Sequence, residues 1–181
     1  MTMLNISYSV FVSHSKDDKR VSFFSQAFAN SGVRAIFEEF DPKAFGANPP
    51  WIKIKNDIKS SIATFVMLSE PLEEKSYRHS MNWIDFEVGI AAANNRPVWI
   101  FEPSERHIDF AVPYATHHVY YDWNSKDNLM WLIKLLQEEK FAIDKKTSIV
   151  CPKCHLRFME INHGNVHFNC PSCRKELVQT S

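Results

Sequence analysis

Tyr8-Ser9-Val10-Phe11-Val12-Ser13-His14-Ser15 is the stretch that decides the fold. Its first part is apolar and β-branched, and reads as a buried strand. Ser13-His14-Ser15 follows as a polar loop. Ser15 suits a helix N-cap, and Asp17 and Asp18 suit the positive end of the helix beyond it. Val21, Phe24, Ala27 and Phe28 then recur at helical spacing until Gly32 ends the helix. Residues 33–37 form a second strand.

The alternation continues down the chain. Residues 38–50 contain Pro42, Gly46, Pro49 and Pro50, which stop regular structure. Trp51, Ile54, Ile58 and Ile62 mark a short amphipathic helix, and residues 63–68 a third strand. A loop over 69–79 leads to a helix over 80–95 that carries Trp83, Glu87 and Ile90. Residues 97–101 are a fourth strand and 118–121 a fifth. A last helix over 124–140 is strongly periodic in Leu129, Leu132, Ile133 and Leu136. Strands alternating with helices five times predict an α/β fold, a flavodoxin-like five-stranded parallel sheet with helices on both faces. Ligands of such folds sit off the carboxyl ends of the strands. That rim would hold Ser13-His14-Ser15, the 38–50 loop and Ser69.

A chain of 181 residues holds one ordinary domain and a small appendage. The division falls at residues 1–143 for the α/β domain and 144–181 for the appendage. Formal net charge is zero, the first part being mildly acidic and the second mildly basic. Neither imbalance argues for nucleic acid by electrostatics alone. No run of about 20 apolar residues is present, so no membrane span is expected. Residues 1–5 lack the pattern of a signal peptide, and the expected location is the cytoplasm. The four glycines, Gly32, Gly46, Gly89 and Gly164, build neither a P-loop nor a dinucleotide fingerprint.

All four cysteines fall in the appendage, as Cys151-Pro152-Lys153-Cys154 and Cys170-Pro171-Ser172-Cys173. Each CxxC turn supplies two thiolates a few ångströms apart, and two such turns complete the tetrahedron that zinc requires. Two disulfides, or four unrelated thiols, are the competing reading, and a cytosolic setting disfavours disulfides. With four protein ligands the Zn2+ is structural. His155, His163 and His167 then have no necessary role as ligands. The two knuckles resemble those of zinc ribbons, a class that binds nucleic acid or protein, and Lys153, Arg157, Arg174 and Lys175 suit either. His117 and His118 are adjacent in a strand, so they point to opposite faces and make a poor metal pair.

Val10 to Asp17 also resembles the first motif of TIR (Toll/interleukin-1 receptor-like) domains, a strand ending in Ser-His/Tyr-Ser with an acid just after. Phe45-Gly46 through Trp51, with Ile54 and Ile58, resembles the TIR loop and helix after the second strand. Val66-Met67-Leu68-Ser69 resembles the third strand. Trp83-Ile84-Asp85-Phe86-Glu87 is similar to the Trp-x-x-x-Glu motif, and Pro97-Val98-Trp99-Ile100 to the next strand. The resemblance spans about residues 6–140 and leans toward the bacterial and archaeal branch. The Phe-Trp motif of many animal receptors is not evident, which argues against a receptor-adaptor role.

The resemblance implies a TIR-type NAD+ glycohydrolase or ADP-ribosyl cyclase in prokaryotic antiviral signalling. NAD+ would be the substrate, and the bond between nicotinamide and ribose the one broken. Glu87 would be the catalytic carboxylate. Trp83, one helical turn earlier, would frame the same pocket. Ser13, His14 and Ser15 would line it, and Phe45 and Trp51 would stack on a base or meet a neighbouring subunit. Homo-oligomerisation through the TIR domain is implied. The alternative is a non-catalytic TIR scaffold that recruits a protein or nucleic-acid partner through the zinc ribbon.

Overall fold

The computed structural model of the chain describes residues 8–15, 18–37, 50–69, 78–142, 148–161 and 167–178. In chain order the elements are β1 (Ser9–Ser13), α1 (Val21–Ser31), β2 (Arg34–Phe37), α2 (Pro50–Ser60), β3 (Ala63–Met67), α3 (Arg78–Ala93), β4 (Val98–Pro103) and β5 (His117–Tyr121). They are followed by α4 (Lys126–Glu138), β6 (Ile149–Val150), β7 (Arg157–Ile161), β8 (His167–Asn169) and β9 (Glu176–Val178).

The central sheet runs β2-β1-β3-β4-β5-β7-β6. All its pairs are parallel except β6 with β7. The expectation of five strands is therefore corrected to seven. β5 is not an edge, because β7 adds to it in parallel, with His118 opposite Glu160 and Val119 opposite Ile161. A parallel neighbour needs a crossover, and α4 supplies it. The strands β8 and β9 form a separate antiparallel pair.

Period-two alternation divides the sheet into two faces. Val10, Val12, Phe65, Trp99, Phe101, Val119 and Tyr121 share one core with residues of α1 and α4. Phe11, Val66 and Ile100 share another with Ile54 and Ile58 of α2 and Ile84 and Val88 of α3. Strands covered on both faces are apolar throughout, and every residue of β3 is buried. Phe65 lies at the centre of the aromatic core. Its ring centroid is 4.8 Å from that of Phe101, which in turn receives the edge of Phe24 at 5.0 Å.

One local reading is corrected. The helix α1 begins at Val21, beyond Ser15; the side chain of its N-cap residue Arg20 makes no capping bond, and Asp18 Oδ1 accepts from Arg20 N–H at 2.9 Å. The Ser15 hydroxyl instead meets Ser69. Its far end is as expected. Gly32 takes φ 76, a left-handed backbone that favours glycine, and its N–H donates to the Phe28 carbonyl. Residues 104–116, between the adjacent parallel strands β4 and β5, hold no helix.

Replacing Phe65 by Ala should cost about 3–5 kcal/mol of unfolding free energy in urea. The same change at Met130, which is 62% exposed on α4, should stay within about 0.5 kcal/mol. Equal losses at the two positions would contradict this core.

Candidate functional site

The strand β1 ends in Ser13, and Ser15 and Ser69 follow β1 and β3 at neighbouring positions in the sheet. All three serines are buried. The Ser69 hydroxyl lies 3.2 Å from that of Ser15 and joins the two loops. His14 is half-buried. Its Nδ1 lies 2.9 Å from the Ser15 carbonyl, and its ring meets Phe37 edge-on. Ser13 Oγ and His14 Nε2 are buried atoms with no hydrogen-bond partner among the described residues. Buried polar atoms of this kind cost free energy unless something bonds to them.

On α3, Glu87 is only 6% exposed, while Asp85 faces solvent. A buried carboxylate on an otherwise apolar helix face is the kind of group that active sites retain. Trp83 is half-buried and packs edge-to-face with Phe86 at 5.4 Å. Trp51 is 46% exposed at the start of α2. Phe45 lies outside the described residues. A cavity of about 470 Å³ lies at the other end of the strands, among Pro97, Tyr114, Thr116 and Phe141. It is remote from the serine rim, so the candidate chemistry does not reside there.

The four cysteines do come together. Their sulfur atoms all lie within 4.8 Å of one another. Cys151 and Cys173 are separated by 3.6 Å, and Cys154 and Cys170 by 3.5 Å. Those distances are far too long for a disulfide, whose sulfurs lie about 2.05 Å apart. They approach the roughly 3.8 Å between ligands of a tetrahedral zinc thiolate site. The donor set therefore fits a metal ion.

The two knuckles share one backbone plan. Cys151 N–H donates to the Leu156 carbonyl and Cys170 N–H to that of Lys175, each at 2.9 Å. Returning bonds run from His155 N–H to Cys151 and from Arg174 N–H to Cys170, again at 2.9 Å. Both closing residues are left-handed, at φ 61 and 57. Burial opposes ionisation of Cys151, yet the N–H groups of Cys154 and Lys153 together with the neighbouring Cys173 and Cys154 thiols outweigh it and hold the thiol down at about 6. Burial dominates at Cys170 and pushes its thiol up to about 12.

A second polar centre is built on Glu102, which is fully buried in β4. Its Oε1 accepts from Ile108 N–H at 2.7 Å, and its Oε2 lies 2.8 Å from His118 Nε2. Arg174 Nη2 donates to both oxygens, at 3.1 and 3.3 Å, and His107 Nδ1 lies 2.6 Å from Oε1. The other nitrogen of His118 is 3.1 Å from Glu160 of β7, at ion-pair distance but without hydrogen-bond alignment. Burial would raise the Glu102 pKa, but the hydrogen bond and charge of His118, with Arg174 and the Ile108 N–H, pull it down to about 2. Burial would likewise discharge His118, but Glu160 and Glu102 hold its pKa up at about 9. Burial raises Glu160. This centre was not singled out from the sequence, although a glutamate ending the apolar run Val98-Trp99-Ile100-Phe101 is a legible signal.

Its neighbour behaves oppositely. His117 stacks flat on Trp99, with centroids 3.7 Å apart and planes 6° from parallel. Burial drives its pKa down to about 3. The two histidines do point to opposite faces, as expected from the strand.

No protein-family model matches the sequence, and no curated protein matches it.

Two measurements check these centres. The protein should bind one Zn2+ per chain by elemental analysis, and replacing Cys151 and Cys170 together by Ser should abolish binding. Retention of metal by that variant would rule out the four-thiolate site. For the histidines, unfolded imidazoles titrate near 6.5. His118, held at about 9 when folded, adds stability below 6.5 that is lost as pH rises through 9. His117, held at about 3, makes stability fall as pH drops from 6.5 toward 3. Between them the pair favours a stability maximum near pH 6.5. The His118 resonances should not titrate between pH 6 and 8, and a midpoint inside that range would refute the pairing.

Proposed function

We propose that the protein is a TIR-type NAD+ glycohydrolase or ADP-ribosyl cyclase that acts in prokaryotic antiviral signalling, with one structural Zn2+ on its four cysteines. The observation that carries this reading is the buried carboxylate of Glu87, on a helix that leads into a central parallel strand. The polar, partly unpartnered rim of Ser13 and His14 supports it. So does the β2-β1-β3-β4-β5 strand order, because ligands of such sheets bind off the carboxyl ends.

The chemistry asks little of an acid. The bond from ribose C1′ to the nicotinamide nitrogen breaks, and the neutral base leaves with the electron pair. Positive charge then grows on the ribose ring. Glu87 stabilises that charge and holds the ribose hydroxyls. Ser13, His14 and Ser15 contact ribose or phosphate, and Trp83 walls the pocket. Water adds to C1′ and gives up a proton, leaving ADP-ribose. An adenine nitrogen in place of water closes a cyclic product. Association of several copies completes the site, with Trp51 available on the surface for that contact.

A scaffold that recruits a partner through the cysteine-bearing segment is the second reading. Val150 and Val178 favour it, as apolar side chains exposed on that segment.

Concentrated protein should release nicotinamide from NAD+. Glu87→Gln should lower the rate by about 100- to 1000-fold while leaving the fold and metal content unchanged. Turnover unaffected by that substitution would remove Glu87 from the mechanism. No turnover by the parent at any concentration would favour the scaffold.

A further inference from the structure

In a doubly wound sheet, the crossover between neighbouring parallel strands normally carries a helix that covers one face. The connection from β4 to β5 has none. It is an extended strap over residues 104–116, yet Ile108, Phe110, Val112 and Ala115 are all buried. They belong to the core under α2 and α3, and Leu156 of the first knuckle packs against that core too. Something outside the strap must therefore stand where a helix would.

The second cysteine knuckle does so. The carbonyl of Pro171, between two of the cysteines, accepts from Val112 N–H at 2.8 Å. Arg174, the residue after Cys173, sends Nη2 to the Ile108 carbonyl at 2.8 Å as well as to Glu102. Asn169 N–H donates to the Tyr120 hydroxyl at 3.1 Å, and Met159 N–H to the Thr116 carbonyl at 2.8 Å. The strap lies between the sheet and the knuckle, bonded to both.

Charge makes this attachment conditional. A buried carboxylate is costly without a partner, and Glu102 takes its guanidinium from the knuckle. The direction of that guanidinium depends on the left-handed backbone at Arg174, which closes the turn on Cys170. Four thiolates held in a tetrahedron fix that turn, and without a metal nothing covalent does. The equivalent residue of the first knuckle, His155, is exposed and does no such work.

We propose that the metal centre, Arg174 and the 104–116 strap form a metal-responsive latch. With metal bound, Arg174 is delivered to Glu102 and the strap is closed over β4 and β5. When the metal is withdrawn, the knuckle relaxes, the guanidinium leaves Glu102, and the strap opens to uncover the apolar face of these strands. The latch rests on the reading of the cysteines as a metal site and extends it from local stapling to control of the sheet.

The test is amide hydrogen exchange of the full chain, with metal content measured on the same sample. A strong zinc chelator should speed exchange at residues 104–116 by tenfold or more, leave residues 63–69 of the central strand protected, and be reversed by added Zn2+. Arg174→Gln should retain one metal per chain and still show the faster exchange over 104–116. A metal-loaded parent whose strap stays protected after chelation, with change confined to 148–178, would overturn the latch and leave the metal site standing. So would an Arg174→Gln protein with a fully protected strap. Loss of protection everywhere at once would also overturn it, because no separable latch would exist. A parent that carries no metal would overturn both readings.

Discussion

The charge of Glu102 is the constraint around which the far half of the structure is arranged. The side chain is fully buried near the end of a central strand, where a carboxylate without partners would cost several kcal/mol. Its partners come from three separate parts of the chain. The strap gives the Ile108 N–H and His107, β5 gives His118, and the second knuckle gives Arg174. Glu160 of β7 then faces the other side of His118. Two carboxyl groups stand against a guanidinium and an imidazole, so each buried charge has a counter-charge at ion-pair distance.

That cluster explains why the cysteine-bearing segment is joined to the sheet and does not hang from it. The strand β7 extends the sheet in parallel, and Phe158 forms a small core with Tyr120, Phe168, Cys151 and Cys170. Backbone ladder, apolar contact and ion pairing thus act over the same few strands. Among the described residues no helix is long and apolar enough to cross a membrane. The two knuckles show how nearly equal sequences diverge in use. Their hydrogen bonds are matched, yet one closing residue reaches solvent as His155 and the other reaches Glu102 as Arg174.

The near half of the sheet keeps its polar groups apart from this network. Ser13, His14, Ser15 and Ser69 gather at the carboxyl ends of β1 and β3, whereas the Glu102 cluster lies toward β5 and β7. Glu87 is buried on α3 and Trp83 is half-buried one turn before it. The strap joins the two regions through shared core, since Ile108 and Phe110 pack in the same cluster as Ile84 and Val88 of α3.

Much of this was legible in the residues themselves. Val10-Phe11-Val12 and Ala63 through Met67 announce buried strands because short apolar, β-branched runs suit little else. The paired CxxC turns announce a four-thiolate cluster because their spacing sets sulfur positions locally. The opposite facing of His117 and His118 follows from strand geometry alone. What the sequence could not determine was which edge of the sheet would accept β7, or that Arg174 would close on Glu102. Nor did it show that Ser15 bonds to Ser69 instead of capping α1. Each of these joins residues far apart in the chain, and local periodicity carries no record of a distant partner. Tertiary structure decides them, because only there do the burial of a charge and the covering of an apolar face have to be satisfied together.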